Sequence, residues 1–401
     1  MDWQALKTVW GKKGPAESRR RWVMHGGHER VAAPHRLPDE ETQFRTEEPR
    51  VISSRLITLD GSQGEGGGQI LRTALTLSIL TGRSFRIVKI RANRDKPGLR
   101  PQHLKAVESA ALLAGAEVVG ASIGSRDLTF RPAPYTPRDL QIDIGTAGST
   151  ALVLQTLHLP LALRAEQPIR VTLTGGTFNT AAPSFPFLET TWRAHLARLG
   201  SPMALAMPSG GFYPRGGGQL DAWIEPATLR PLTLTERGQL TRIQGIAGVA
   251  NLRPEIARRM RDQAEARLAE RGLSAEIELV DWPSLGQGAA ISLSATYGQD
   301  GIPATFVGLG ERGKPAEVVA DEAVAELLAF HDAEEGAVDP HSADQILVPL
   351  ALAPGRSEYT VATVTEHLLT NVATIRAFLD REIKVEIEGA VGEAPGRVII
   401  A

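Results

Sequence analysis

The chain of 401 residues contains no cysteine. That absence removes disulfide frameworks, thiolate zinc sites, iron–sulfur clusters and cysteine nucleophiles together, so any covalent catalysis must fall to another side chain. An excess of one charge is missing as well. Lys and Arg number 44 against 46 Asp and Glu, a net charge of −2, so the molecule as a whole lacks the basic footprint of a dedicated nucleic-acid-binding domain. Local clusters must carry any such role. Long apolar runs are also lacking: the best candidate, Ala151 to Leu163, is interrupted by Gln155, Thr156 and His158 and is too short to span a bilayer. The opening MDWQALKTVWGKK has no apolar segment followed by a small-residue cleavage site. The expectation is a cytoplasmic protein with no membrane partner. With 42% hydrophobic and 22% charged residues the composition is that of an ordinary globular protein, and the length predicts two or three domains.

Residues 1–54 stand apart as a basic extension and linker. Between Lys7 and Arg36 eight Lys and Arg face two Glu, with Trp3, Trp10 and Trp22 interleaved. Rings among cations can stack on bases while the cations meet phosphates. A poorly anchored terminus is the alternative reading. From Arg55 onward short β-like runs alternate with helical ones: LITL (56–59), an apolar-periodic helix over 68–82 ended by Gly82, FRIVKI (85–90), a helix over 101–115 and the strand AEVVGA. Such a run predicts an α/β or α+β domain. GGGQILR (66–72) is echoed by GGGQLDA (216–222), and AGST (147–150) opens a helical stretch much as the first triple glycine does. This suggests repeated subdomains. Over 240–337 the pattern shifts to a charged helix, alternating strands and a second helix, which reads as a smaller inserted domain. Residues 55–239 and 338–401 then form the larger one.

The sharpest local feature is DGSQGEGGGQILR (60–72). Successive glycines let backbone N–H groups approach an anion, and the helix start that follows adds a positive dipole end. This is not a phosphate-binding P-loop, since no G-x-x-x-x-G-K-[ST] occurs and GERGKP (310–315) lacks both spacing and hydroxyl. Glu65 inside an anion-binding loop makes sense if it holds a divalent cation against phosphate oxygens. A tight turn with a solvated glutamate is the plain alternative. Next, eight Lys and Arg from Arg83 to Lys105 face Asp95 as the only carboxylate in that stretch. Arg91, Arg94, Gln102 and His103 fall where a strand ends and a helix begins, so their donors can converge on a phosphate. A solvated charged loop would have the same composition.

Two later segments complete the set. In PHSADQ (340–345) the spacing of His341, Asp344 and Gln345 puts an imidazole, a carboxylate and an amide on one helical face, suited to a nucleobase or ribose or to a capped helix start. In EHLLTN (366–371) His367 and Asn371 stand four apart. One ring nitrogen held by a neighbour would leave the other unprotonated and nucleophilic, although a histidine in an amphipathic helix is more often structural.

Taken together, DGSQGEGGGQILR, IRANRDKPGLRPQHLKAV (90–107), IGTAGSTALVLQT (144–156), LTGGT (173–177), GFYPRGGG (211–218), HSADQILVPLALA (341–353) and EHLLTNVATIRAFL (366–379) resemble the RNA 3′-terminal phosphate cyclase family. The resemblance implies a larger domain of three βαβαββ repeats with a smaller thioredoxin-like inserted domain. It implies ligase-type nucleotidyl transfer with ATP, a divalent cation (Mg or Mn) and RNA bearing a 3′-phosphate end. A histidine, here His367, takes AMP from ATP and passes it to the RNA phosphate, and the neighbouring 2′-oxygen displaces AMP to leave a 2′,3′-cyclic phosphate. By motif match, Glu65 resembles the metal contact. Gln155, Pro183, His341, Asp344 and Gln345 resemble ATP-pocket residues, and Arg72, Arg91, Arg94, Gln102 and His103 the set around phosphates and the RNA end. The chain departs from the family at His341, where some members carry tyrosine, and at Phe178 and Pro186, where acidic or amide residues are common. Carboxyvinyl transfer on a related fold and a catalytically silent RNA-binding relative are the competing readings. The presence of His367 counts against both.

Overall fold

The computed structural model describes residues 56–64, 67–299 and 301–401. The basic extension and Glu65 therefore lie outside the described residues. Strand β1 (Ile57–Asp60) runs into helix α1 (Gln69–Thr81), then β2 (Phe85–Val88), α2 (Pro101–Ala114), β3 (Glu117–Val119) and β4 (Leu128–Arg131). Their sheet is ordered β1-β2-β4-β3, with β1 and β2 parallel and the other pairs antiparallel.

The pattern then recurs. Strand β5 (Leu140–Asp143), α3 (Thr150–Ala162) and β6 (Ile169–Gly175) are followed by a helical run of α4 (Phe185–Phe187), a π-helical segment Leu188–Trp192 and α5 (Arg193–Arg198). Strands β7 (Met203–Ser209) and β8 (Gly218–Ile224) close a sheet ordered β5-β6-β8-β7.

After β9 (Thr233–Leu234) the chain builds β10 (Leu240–Ala250), α6 (Pro254–Ala269), β11 (Glu276–Asp281), β12 (Gly288–Tyr297), β13 (Ala304–Leu309) and α7 (Ala316–Asp332). These strands form their own sheet, ordered β11-β10-β12-β13. The chain returns through α8 (Pro340–Ala343), α9 (Leu347–Leu352), β14 (Ser357–Val361), α10 (Glu366–Phe378), β15 (Ile383–Ile387) and β16 (Gly396–Ile400). Strand β14 pairs parallel with β9, and the sheet is ordered β15-β16-β14-β9. Read from β9, this is the same one-two-four-three order as the first two sheets. The α/β architecture is thus a triplicated βαβαββ unit whose third copy is interrupted after its first strand.

The triple-glycine echo does not mark that repeat. The first triplet leads into α1, but the second runs into β8, because Gln219-Leu220-Asp221-Ala222-Trp223-Ile224 follows the period of a strand rather than a helix. The counterpart of the α1 start is Ser149, whose side chain accepts the Leu152 N–H at 3.3 Å and caps α3.

Helix α1 is apolar nearly all round, with Leu71, Ala74, Leu75 and Leu77 fully buried, so it must be enclosed on every side. It packs against α10, α3 and α2. Within α3, Pro160 has no N–H to give the Thr156 carbonyl, and the Thr76 hydroxyl of α1 donates to that carbonyl at 2.8 Å instead.

The interrupting segment is joined to the second repeat by an aromatic stack. Phe178 lies parallel to Phe212 at 4.6 Å between centroids, and the Trp282 ring sits 4.8 Å from Phe178. Phe178 is therefore a packing residue. Phe178→Ala is expected to cost about 3 kcal/mol, seen as a lower urea midpoint. An unchanged midpoint would place the stack outside the cooperative core.

Candidate active site

The first helices of the three repeats meet at one cavity of about 810 Å³. Helix α1 supplies Gln69 and Arg72, α3 supplies Gln155, and the α8–α9 turn supplies His341, Asp344 and Gln345; Pro183 and His367 complete this part of the wall. Every residue assigned to the ATP pocket or to nucleophilic attack therefore lines the same space. Glu311, Lys314, Glu322 and Glu326, from the segment that interrupts the third repeat, form a further wall.

His367 stands in the first turn of α10, whose start is capped by Thr365 accepting the Leu368 N–H at 3.2 Å. Asn371, four residues on, is not the neighbour that holds the His367 ring. Instead its Nδ1 meets Gln69 Oε1 at 2.9 Å, from the other end of the chain. An amide oxygen only accepts, so Nδ1 carries the proton and a neutral ring has its lone pair on Nε2. The amide cannot turn over, because Gln69 Nε2 donates to Asp344 Oδ2. Asn371 serves as a brace, donating to the Asp344 main-chain carbonyl at 2.7 Å and accepting from the Thr73 hydroxyl at 2.7 Å. Gln69 is the functional residue that sequence reasoning passed over. It lies inside the quoted motif, but nothing in the motif says which residue faces His367.

The expected single helical face of 341, 344 and 345 is not formed. Helix α8 ends at Ala343, started by Asp339, which accepts the N–H groups of His341 and Ser342 at 3.0 and 2.9 Å. Pro340 opens this short helix at a position where a missing N–H costs nothing. The three side chains still reach the cavity, but through a turn: His341 Nε2 lies 3.5 Å from Glu326, Asp344 receives Gln69, and Gln345 accepts from the Gln155 amide. Burial pushes the Asp344 carboxyl up to about 6, while His367 and Arg72 pull the other way.

Arg91, Arg94, Gln102 and His103 lie outside the cavity lining, and two of them, Arg94 and His103, come close to the glycine segment that leads into α1, as Arg72 does. A Cβ on Gly68 would fall 2.3 Å from His103 Nε2 and 2.8 Å from Arg72 Nη1, and one on Gly67 would fall 3.5 Å from Arg94 Nη2. At Gly68 a Cβ would force the His103 ring and the Arg72 guanidinium to shift, whereas at Gly67 it would meet Arg94 at ordinary contact distance. His103 is held neutral, pushed down to about 3 by burial and then by Arg72, Arg91 and Arg100. Its Nδ1 accepts the Arg100 N–H at 3.2 Å, so Nε2 carries the proton and acts as a donor beside the glycines. Arg72 is lowered by burial to about 10 and stays charged at neutral pH, with Asp344 opposing that shift.

Arg91 braces its own loop through the Lys96 and Gly98 carbonyls at 2.8 and 3.1 Å. The wider basic cluster, unopposed in sequence except by Asp95, divides in space. Arg86 pairs with Asp127, Lys89 with Asp60 at 2.9 Å and Lys105 with Glu108 at 3.0 Å.

A cation in such a site takes one or two carboxylates besides the substrate's phosphates. Among the described residues no three His, Asp or Glu gather as a metal cluster, and Asp344 is the carboxyl beside Arg72. That chemistry suits a phosphate-shared divalent ion rather than a closed protein cage.

An enclosed cavity with a tethered imidazole, a buried guanidinium and a carboxyl of raised pKa is the equipment of an enzyme. The family model described as RNA 3′-terminal phosphate cyclase matches residues 63–385. An RNA 3′-terminal phosphate cyclase of Ralstonia nicotianae is 47% identical over 84% of this chain and 96% of its own length. One from Caldivirga maquilingensis is 45% identical over 82% and 94%. One from Salmonella paratyphi C is 42% identical over 83% and 95%. The chain belongs to the RNA 3′-terminal phosphate cyclase family.

Deep in the cavity wall His158 is buried, edge-on to Trp192 at 5.2 Å and 3.1 Å from the Ser201 hydroxyl, and burial lowers it to about 3. The unfolded imidazole titrates near 6.5, so between that value and about 3 the unfolded chain binds the extra proton and stability falls with pH. Between pH 7 and pH 5, His158→Gln is expected to lose about 1–2 kcal/mol less stability than the wild type, measured by urea denaturation at both values. Equal losses would contradict a buried neutral ring.

Proposed function

We propose that this protein converts an RNA 3′-terminal phosphate to a 2′,3′-cyclic phosphodiester at the expense of ATP, with His367 as the nucleophile. The observation that carries the reading is the Gln69 amide held between Asp344 and His367 Nδ1, which presents Nε2 as the nitrogen able to attack phosphorus. In the first step Nε2 attacks the α-phosphorus of ATP and pyrophosphate leaves. AMP then passes from the histidine to an oxygen of the RNA 3′-phosphate. Finally the vicinal 2′-hydroxyl attacks that phosphorus, loses its proton and expels AMP, so one ATP yields AMP, pyrophosphate and the cyclic end.

The cavity's charges support this orientation. Arg72, with His103 and Arg94 beside the glycines, offers donors for phosphate oxygens at one end. Glu322, paired with Lys314 at 2.6 Å, and Glu326, 3.5 Å from His341, lie at the insertion wall, where their oxygens can accept from a nucleoside's N–H and O–H donors. We assign Gln155, Pro183, His341, Asp344 and Gln345 to the nucleotide, and Arg72, Arg91, Arg94, Gln102 and His103 to the phosphates and RNA end. Glu65 is assigned to a divalent cation, Mg²⁺ or Mn²⁺, which when bound would offset charge on the transferring phosphates. We read 240–337 as a thioredoxin-like insertion, an assignment supported by its β11-β10-β12-β13 order, and 55–239 with 338–401 as the repeat domain. Among the described residues no helix is long and apolar enough to cross a membrane, and a cytoplasmic setting accords with an RNA substrate.

Incubation with ATP labelled at the α-phosphate and a divalent cation is expected to leave an acid-labile, alkali-stable AMP adduct on the wild type and none on His367→Ala. No adduct on either would favour a silent RNA-binding relative. In Gln69→Leu the ring loses its Nδ1 acceptor. Adduct formation is expected to slow by about 10- to 100-fold with little change in KM for ATP, and imidazole ¹⁵N shifts are expected to move away from the Nδ1–H tautomer. Wild-type rates and shifts together would remove Gln69 from this role.

A further inference from the structure

The segment GFYPRGGG (211–218) has no part in the chemistry above, yet it builds an exposed aromatic edge. Tyr213 is 82% exposed and Leu285 69%, far more than other large apolar side chains of the described residues. Neither sits on a loose loop. Phe212 is clamped in the stack with Phe178 and Trp282, the Gly216 N–H donates to the Phe212 carbonyl at 2.8 Å, and the Gly211 N–H donates to the Thr177 hydroxyl at 2.9 Å. Gly216, at φ +64°, closes the turn where a side chain would be strained and would strike Thr146 and Ala147. The ring of Tyr213 is thus held out from a rigid base. Arg215, also exposed, is set beside it by donation to the Leu285 carbonyl at 3.4 Å.

The turn adjoins the phosphate-binding side of the site. Its Gly216 packs on Ala147, and one residue on, a Cβ at Gly148 would lie 3.2 Å from Gln102 Cβ, next in sequence to His103. Asn179, in the cavity lining, donates to the Ala147 carbonyl at 2.7 Å. Residues 145–148, of which Gly145 and Thr146 are exposed, thus lie between the helix that carries Gln102 and His103 and the turn that carries Tyr213 and Arg215. The nearby carboxylate of Asp143 is occupied by the Gly145 N–H at 2.8 Å.

We infer that Tyr213 and Arg215 form a platform for single-stranded RNA one or more nucleotides upstream of the reacting 3′ end, the ring stacking on a base and the guanidinium meeting a phosphate. The inference rests on the RNA reading above and extends it from the terminal phosphate to the path of the strand. Stacking is indifferent to base identity, so the platform confers a preference for length and single-strandedness rather than for sequence.

The test compares binding of adenosine 3′-monophosphate and of a 3′-phosphorylated adenylate hexamer to wild type, Tyr213→Ala, Tyr213→Trp and Arg215→Ala, with labelling by ATP measured alongside. Tyr213→Ala is expected to weaken the hexamer by about tenfold and leave the mononucleotide and the AMP adduct unchanged, while Tyr213→Trp retains hexamer affinity. Arg215→Ala is expected to reduce the salt slope for the hexamer by about one. Equal hexamer affinity in wild type and Tyr213→Ala would overturn the proposal, as would equal losses for both ligands. A wild type that takes up AMP but does not bind the hexamer would overturn the platform and leave the nucleotidyl-transfer reading standing. A wild type that binds the hexamer without taking up AMP would do the reverse, and the Tyr213→Ala comparison would still decide the platform.

Discussion

The enclosure of α1 is the constraint on which the rest of the molecule depends. A helix whose long apolar face covers nearly its whole circumference has no stable place at a surface, and here it is covered by α2, α3 and α10 from all three repeats. Its longer polar side chains, Gln69 and Arg72, stand in the first turn and line the cavity, while the hydroxyls of Thr73, Thr76, Ser78 and Thr81 further along are taken up by hydrogen bonds. Helix α3 and the α8–α9 segment hold the equivalent place in their own repeats, and they line the same cavity. The cavity is therefore a consequence of triplication: three copies of one unit bury one another's helices and leave a shared space between them.

Polar groups in that space are arranged so that few are idle. Thr73, Asn371 and the Asp344 main chain make one connected set, and Asp344, Gln69 and His367 another. Such networks fix the orientation of each amide and the tautomer of each ring, because every donor position is answered by an acceptor. His103 shows the same logic in mirror image. Its Nδ1 is taken by a main-chain N–H, which turns its Nε2 proton toward the glycine segment, whereas His367 has its Nδ1 proton taken by Gln69. Two histidines thus reach one site as donor and as potential nucleophile, distinguished by their hydrogen-bond partners.

The segment that interrupts the third repeat adds a wall rather than a separate site. Its carboxylates line the cavity that Arg72 also lines, and its Trp282 packs on Phe212 in the glycine turn that bears Tyr213. Phe178 belongs to that stack. An acidic or amide side chain at this position could not stack with Phe212 and Trp282, and the apolar surroundings suit the ring that is there.

Much of this was legible from local pattern. The helices over 68–82 and 101–115, their glycine stops and the strand runs follow from apolar period and capping chemistry, which act between near neighbours and are written in consecutive residues. The motifs likewise named His367, Asp344, Gln345 and the arginines as chemically apt. What the sequence alone could not decide was contact between distant residues. It left the holder of His367 unnamed, a place that Gln69 takes; it matched two triple glycines that serve a helix and a strand; and it saw a basic cluster opposed only by Asp95, whose partners Asp127 and Asp60 lie elsewhere in the chain. Period and propensity determine which elements form, but the pairing of one element's side chains with another's is settled only when burial of their apolar faces brings them together.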